Sequence, residues 1–78
     1  MSKNKKIPKG RISNQIRRIR LARTELTQAD LAQRVGATRQ TIIAIEAGKY
    51  APSMELAFRI AGEFGVTFEE VFQFDPEG

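Results

Sequence analysis

Residues 28–47 read QADLAQRVGATRQTIIAIEA, and they constrain the fold of this chain more than any other stretch. Apolar side chains fall at Leu31, Val35, Ala37, Ile42 and Ile45, a spacing that predicts two short helices joined by a turn of three or four residues. A small residue, Ala32, stands where the two helices would cross, and Gly36 stands at the turn. Glycine enters the left-handed region there without a Cβ penalty.

The flanking sequence continues the helical pattern. Residues 13–23 predict a first helix with Ile12, Ile16, Ile19 and Leu21 as its apolar stripe and Ser13 or Asn14 as its N-cap. Thr27 and Asp30 form a capping-box pair that opens the second helix. Thr38 is the expected cap of a third helix ending near Ala47, with Gly48 just beyond and Lys49 and Tyr50 in the following loop. Pro52 blocks any further extension. Ser53 then caps a fourth helix with a core stripe of Leu56, Ala57, Ile60, Ala61 and Phe64, closed by Gly65. Thr67 and Glu70 repeat the capping box and open a short fifth helix through Val71. The alternation Phe72-Gln73-Phe74-Asp75 predicts a short strand or an extended tail lying on a partner. Four of the five phenylalanines lie between positions 64 and 74. A small monomer has difficulty burying all of them, so a hydrophobic contact site is expected there.

With 78 residues the chain is long enough for one small domain, whose marginal core favours oligomerisation. It has no Cys and no His, which removes disulfides, thiolate chemistry and the commonest general base and metal ligand. Neither a phosphate-binding glycine motif nor an acidic cluster suited to catalysis is present, so an enzyme, a metal and a cofactor are not expected. No apolar run approaches a membrane span, and the basic N-terminus is not followed by an apolar signal core. A cytoplasmic setting is therefore expected, with no membrane partner and no small-molecule ligand evident. Residues 1–10 carry Lys3, Lys5, Lys6 and Lys9 without an acid and read as a flexible basic arm preceding a domain at 11–78. Residues 11–39 carry a net +5 and residues 40–78 a net −5. Such polarity suits a protein that turns one side to a polyanion, and equally an unevenly solvated surface.

The chain resembles the Cro/C1-type (XRE-like) helix-turn-helix regulators. The residues carrying the likeness are Leu26-Thr27-Gln28, Leu31-Ala32, Val35-Gly36, Thr38-Arg39-Gln40-Thr41-Ile42, Ile45-Glu46, Gly48-Lys49 and Pro52-Ser53. It continues through Leu56-Ala57, Ile60-Ala61, Phe64-Gly65-Val66 and Glu70-Val71-Phe72. The resemblance spans residues 16–74 and implies an all-α, five-helix, lambda-repressor-like DNA-binding domain in a short single-domain form. In some short members an N-terminal and a C-terminal strand pair and help form a dimer, which the FQF segment fits. One departure is Arg23-Thr24-Glu25, a residue longer than the family's usual turn.

The resemblance makes the third helix the recognition helix, with Thr38, Arg39, Gln40, Ile43 and Ala44 facing base edges. The side-chain chemistry agrees: Arg39 offers a planar fork for guanine O6 and N7, and Gln40 a bidentate match for adenine N6 and N7. Ile43 and Ala44 offer apolar contact to a thymine methyl. The resemblance also places Gln28 on a DNA phosphate, at a helix start where free N–H groups favour an anion. Thr41, Lys49, Tyr50, Arg17 and Arg18 are further phosphate candidates. By the same likeness Arg20 and Glu46 form a structural ion pair between the first and third helices. Leu31, Ala32, Val35, Ile42, Ile45, Leu56, Ile60 and Phe64 are expected in the core, and Phe68, Phe72 and Phe74 at a dimer interface. The implied function is a sequence-specific regulator that binds double-stranded DNA as a homodimer, a repressor on a palindromic operator. The alternative is a protein-interaction module, such as an antitoxin or adaptor, on the same fold.

Overall fold

The computed structural model describes residues 10–78, so the basic arm expected over residues 1–10 lies outside the described residues, Gly10 excepted. Along the chain come β1 (Arg11–Asn14), α1 (Ile16–Arg23), α2 (Gln28–Val35), α3 (Arg39–Glu46), α4 (Met54–Phe64), α5 (Phe68–Val71) and β2 (Phe72–Asp75). Among the described residues, five helices and one antiparallel strand pair make up the fold.

Helix starts follow the side-chain caps that the sequence supplies. Thr27 accepts the Asp30 N–H at 3.0 Å while Asp30 accepts the Thr27 N–H at 3.0 Å, closing a reciprocal box at the head of α2. Thr67 and Glu70 repeat the arrangement at α5. Thr38 caps α3 by accepting the Thr41 N–H, and Ser53 caps α4 by accepting that of Leu56. Gly36 ends α2 at φ 77°, and its N–H and that of Ala37 close onto the last turn of the helix.

The beginning of the chain departs from the sequence reading. Residues 11–14 are not the first turn of a helix but strand β1, with Ile12 opposite Phe74 and Asn14 opposite Phe72. The first helix therefore starts at Ile16, and neither Ser13 nor Asn14 is its N-cap residue; that position is Gln15, which makes no side-chain cap. Asn14 still serves the helix, because its Oδ1 accepts the Ile16 N–H at 3.1 Å. The Gln15 N–H donates to the Val71 carbonyl at 2.8 Å, which ties the start of α1 to the end of α5. Pairing with a strand distant in sequence thus overrides local helical preference. The inward stripe of α1 is Ile16, Ile19 and Arg20, whereas Leu21 is 60% exposed and Ile12 51% exposed. The longer turn after α1 is absorbed locally: the Thr24 hydroxyl donates to the Arg20 carbonyl and accepts the Leu26 N–H.

The core joins Ile16 and Ile19 of α1, Leu31, Ala32 and Val35 of α2, and Ile42 and Ile45 of α3. From the C-terminal half come Ala57, Ile60, Ala61, Phe64, Val71 and Phe72. Burying each of the large aliphatic side chains among them contributes about 1.5–3 kcal/mol. Leu56, expected in the core, is half-buried and packs against its edge. Ala32 has almost no exposed surface, consistent with close approach of α2 to its neighbours.

Candidate nucleic-acid interface

Helix α3 has two opposed faces. Ile42 and Ile45 are fully buried, while Arg39 and Gln40 are exposed and Ile43 and Ala44 half-buried. Positions 39, 40, 43 and 44 are related by three- and four-residue steps and form one contiguous stripe opposite the buried side. Three ion pairs occur among the described residues, and none includes Arg39. Among the described residues no carboxylate thus pairs with the guanidinium of Arg39. Thr38 differs from the other four nominated base-reading residues. Its oxygen caps α3, and its hydroxyl lies 2.9 Å from that of Thr41. Both hydroxyls are already engaged inside the helix start.

The phosphate candidates divide into groups. Lys49 and Tyr50 are exposed in the loop directly after α3. Arg17 is exposed on α1, without a hydrogen-bond partner among the described residues. Arg18 is drawn elsewhere: its Nε donates to Gln15 at 2.9 Å, and it lines a cleft with Ala22, Glu69, Glu70 and Gln73. Among the described residues no hydrogen bond or ion pair joins Arg18 to α3. Gln28 is half-buried, and its Nε2 donates to Glu46 Oε1 at 3.0 Å. Its side chain thus has an intramolecular partner that sequence reasoning missed, since nothing in local spacing marks a contact across 18 residues.

Arg20 and Glu46 meet in a forked arrangement. Arg20 Nε donates to Glu46 Oε2 at 2.9 Å and Nη2 to Oε1 at 3.3 Å, and Nη1 donates to the Leu26 carbonyl at 3.1 Å. Their side chains are 8% and 4% exposed. A second unanticipated link is Asn14, whose Nδ2 donates to the Ile45 carbonyl at 2.7 Å and satisfies the end of α3. Arg11 and Ser13 of β1 line a shallow cleft with Ala47 and Gly48 at that same end.

The aromatic residues nominated for a dimer contact separate as well. Phe72 is 6% exposed and belongs to the core, so it is not a free surface residue. Its burial follows from the strand pair: the Asn14–Phe72 end of the ribbon covers the core. Phe68 is half-buried, with its ring centroid 5.0 Å from Phe58 and 5.2 Å from Phe72. Phe74 is 65% exposed, and with Ile12, Met54 and Phe68 it borders an apolar groove.

Comparison with known proteins places this geometry in a family. The family described as helix-turn-helix matches residues 16–71. The chain belongs to this Cro/C1-type helix-turn-helix family of transcriptional regulators. It is 58% identical over 52 residues to an uncharacterised HTH-type transcriptional regulator of Methanocaldococcus jannaschii, covering 67% of this chain and 79% of that protein. An uncharacterised HTH-type transcriptional regulator of Bacillus subtilis is 41% identical over 66 residues, covering 85% of this chain and 98% of the relative. Among solved structures, a crystal structure of a candidate DNA-binding protein from Bacteroides fragilis superposes with a TM-score of 0.72 at 21% identity. That match covers 80% of this chain and 98% of the other. It supports the fold. No helix among the described residues is long and apolar enough to cross a membrane.

Proposed function

We propose that this protein is a sequence-specific, dimeric DNA-binding regulator, a repressor that occupies a palindromic operator in the cytoplasm. The observation that carries the reading is the outer stripe of α3. Arg39 and Gln40 stand exposed on a helix whose opposite face is core, with no ion-pair partner for Arg39 among the described residues. Those two side chains match guanine and adenine edges, and Ile43 and Ala44 behind them suit a thymine methyl. In this reading Gln28, Lys49, Tyr50 and Arg17 are the contacts to the DNA backbone that fix register, and Thr38 and Thr41 hold the helix start in shape. Relatives from an archaeon and a bacterium carry the name of HTH-type transcriptional regulators, which agrees with this reading.

A second copy would cover the apolar surface around Ile12, Met54, Phe58 and Phe74, all more than half exposed. Two α3 helices brought about 34–36 Å apart would read half-sites one turn apart. Repression then follows from occlusion of the promoter. Selection of bound sequences from a random DNA pool tests the whole reading. A palindrome with half-sites one turn apart is the expected result, and a pool that stays random after selection removes sequence-specific binding. The exposed apolar surface also motivates a second reading, a module that grips a different protein. A chain that remains monomeric, ignores DNA at low salt and forms a defined complex with a partner would favour it.

A further inference from the structure

Asn14 ends β1, and its short side chain reaches two helices at once. Its Oδ1 accepts the Ile16 N–H at the start of α1 at 3.1 Å, and its Nδ2 donates to the Ile45 carbonyl near the end of α3 at 2.7 Å. Only one orientation of the amide offers an acceptor to the first and a donor to the second. The Ile45 carbonyl also receives the Gly48 N–H at 2.9 Å, so removing the amide does not leave that carbonyl without a donor. What the amide adds is a tie between distant parts of the chain. Among the described residues no other hydrogen bond joins the strand pair to α3. Asn14 stands opposite Phe72, which is in the core, and two residues earlier Ile12 stands opposite Phe74. Ile12 and Phe74 are more than half exposed and belong to the surface assigned above to a second copy. From Ile12 to Asn14 is two residues of extended chain, about 7 Å. One hydrogen bond further lies the turn of α3 that also carries Ile43 and Ala44.

We propose that Asn14 is a positioning residue for operator recognition. It locks the recognition helix to the ribbon at which the subunits meet, and so fixes the separation and mutual tilt of the two recognition helices in the dimer. The inference rests on the dimeric DNA-binding reading above. A helix held at a set distance from the subunit contact meets the second half-site already in register. Without the tie, that arrangement has to be fixed as DNA binds, and the ordering lowers affinity. An isolated half-site is indifferent to the tie, because it engages one recognition helix only. The acceptor that Asn14 gives to α1 is a separate service, and one substitution divides the two. Asn14→Asp is nearly the same size and keeps an oxygen for the Ile16 N–H, where the positive end of α1 favours its charge. It has no hydrogen for the Ile45 carbonyl, and it sets a negative charge against the negative end of α3.

Duplexes built from the half-site that random-pool selection returns are the probe. They carry either one half-site or a palindrome whose centre-to-centre separation is stepped a base pair at a time around one turn. The parent is expected to bind one separation best. Asn14→Asp is expected to sediment as a dimer and to bind the isolated half-site like the parent. At the best separation its affinity should fall on the order of tenfold, the scale of one hydrogen bond in each subunit. Its preference for that separation over neighbours one base pair away should shrink by a similar factor. Asn14→Ala removes both bonds without adding a charge. It is expected to flatten the profile in the same way, and it carries the test where the aspartate variant does not fold. A separation profile as sharp as the parent's in a folded variant overturns the proposal. So does half-site affinity that falls as far as that for the palindrome, since Asn14 would then act within one subunit. A variant that sediments as a monomer overturns it too, because Asn14 would then serve the subunit contact itself. A parent that binds every separation equally removes the dimeric reading and this inference with it. A selected pool that stays random removes sequence-specific binding at the step before.

Discussion

Arg39 has no ion-pair partner among the described residues, whereas Arg20 is held by Glu46 and the Leu26 carbonyl. The same residue type therefore gives opposite outcomes on truncation. Arg39→Ala is expected to leave thermal stability nearly unchanged. It should remove about 1–3 kcal/mol of preference at one base pair of each half-site. Binding to a set of single-base operator variants measures this, and an unchanged preference at every position would show that Arg39 reads no base. Glu46→Ala strands the buried Arg20 cation and takes the acceptor from the half-buried Gln28 amide. A loss of about 3–5 kcal/mol in unfolding free energy is expected, measured by urea denaturation. Loss of DNA binding in that variant would report on the scaffold and not on the interface. Gln28 lies between these cases, since it is half-buried and its side chain donates to the buried pair.

At the scale of elements, what the sequence reveals depends on how far a contact reaches. The caps of α2, α3, α4 and α5 were legible because each joins residues three apart, and the stripe of α3 because helical spacing assigns its faces. The start of α1 was not legible. Ile12 and Ile16 share a helical spacing, but residues 11–14 satisfy their backbone on β2, some sixty residues away in the chain. The contacts of Asn14 with Ile45 and of Gln28 with Glu46 have no local signature for the same reason. The two capping boxes carry a pH prediction. Asp30 and Glu70 have pKa values lowered first by the backbone N–H groups of Thr27 and Thr67 and then by the threonine hydroxyls. A carboxyl with a lowered folded-state pKa favours the fold in its charged form. Its contribution is complete above the ordinary carboxylate range and fades as pH falls through and below about 4. Asp30→Asn with Glu70→Gln should therefore lower stability at neutral pH and flatten its decline in acid. Urea unfolding at pH 7 and pH 3 compares the slopes. An equally steep decline in the double variant would assign acid sensitivity to other carboxylates.

Across the whole molecule, the strand pair decides which aromatic residues are available to a partner. Phe72 and Phe74 stand two apart in β2 and share one side of the ribbon, yet one is 6% and the other 65% exposed. The difference arises because the Asn14–Phe72 end lies over the core, while the Ile12–Phe74 end reaches beyond it, beside Met54. A charge at either position therefore acts on a different equilibrium. Phe72→Asp buries a carboxylate in the core and should prevent folding. Phe74→Asp leaves the monomer's core intact and should shift its unfolding free energy by no more than about 0.5 kcal/mol. Two copies brought together at this surface would, however, oppose two carboxylates in an apolar contact. Sedimentation should then show a dimer for the parent and a monomer for Phe74→Asp. Affinity for a full palindrome should fall by about 10²–10⁴ as the second recognition helix loses its tether, with binding to an isolated half-site retained. A Phe74→Asp protein that still sediments as a dimer and binds the palindrome like its parent would move the subunit contact away from this ribbon.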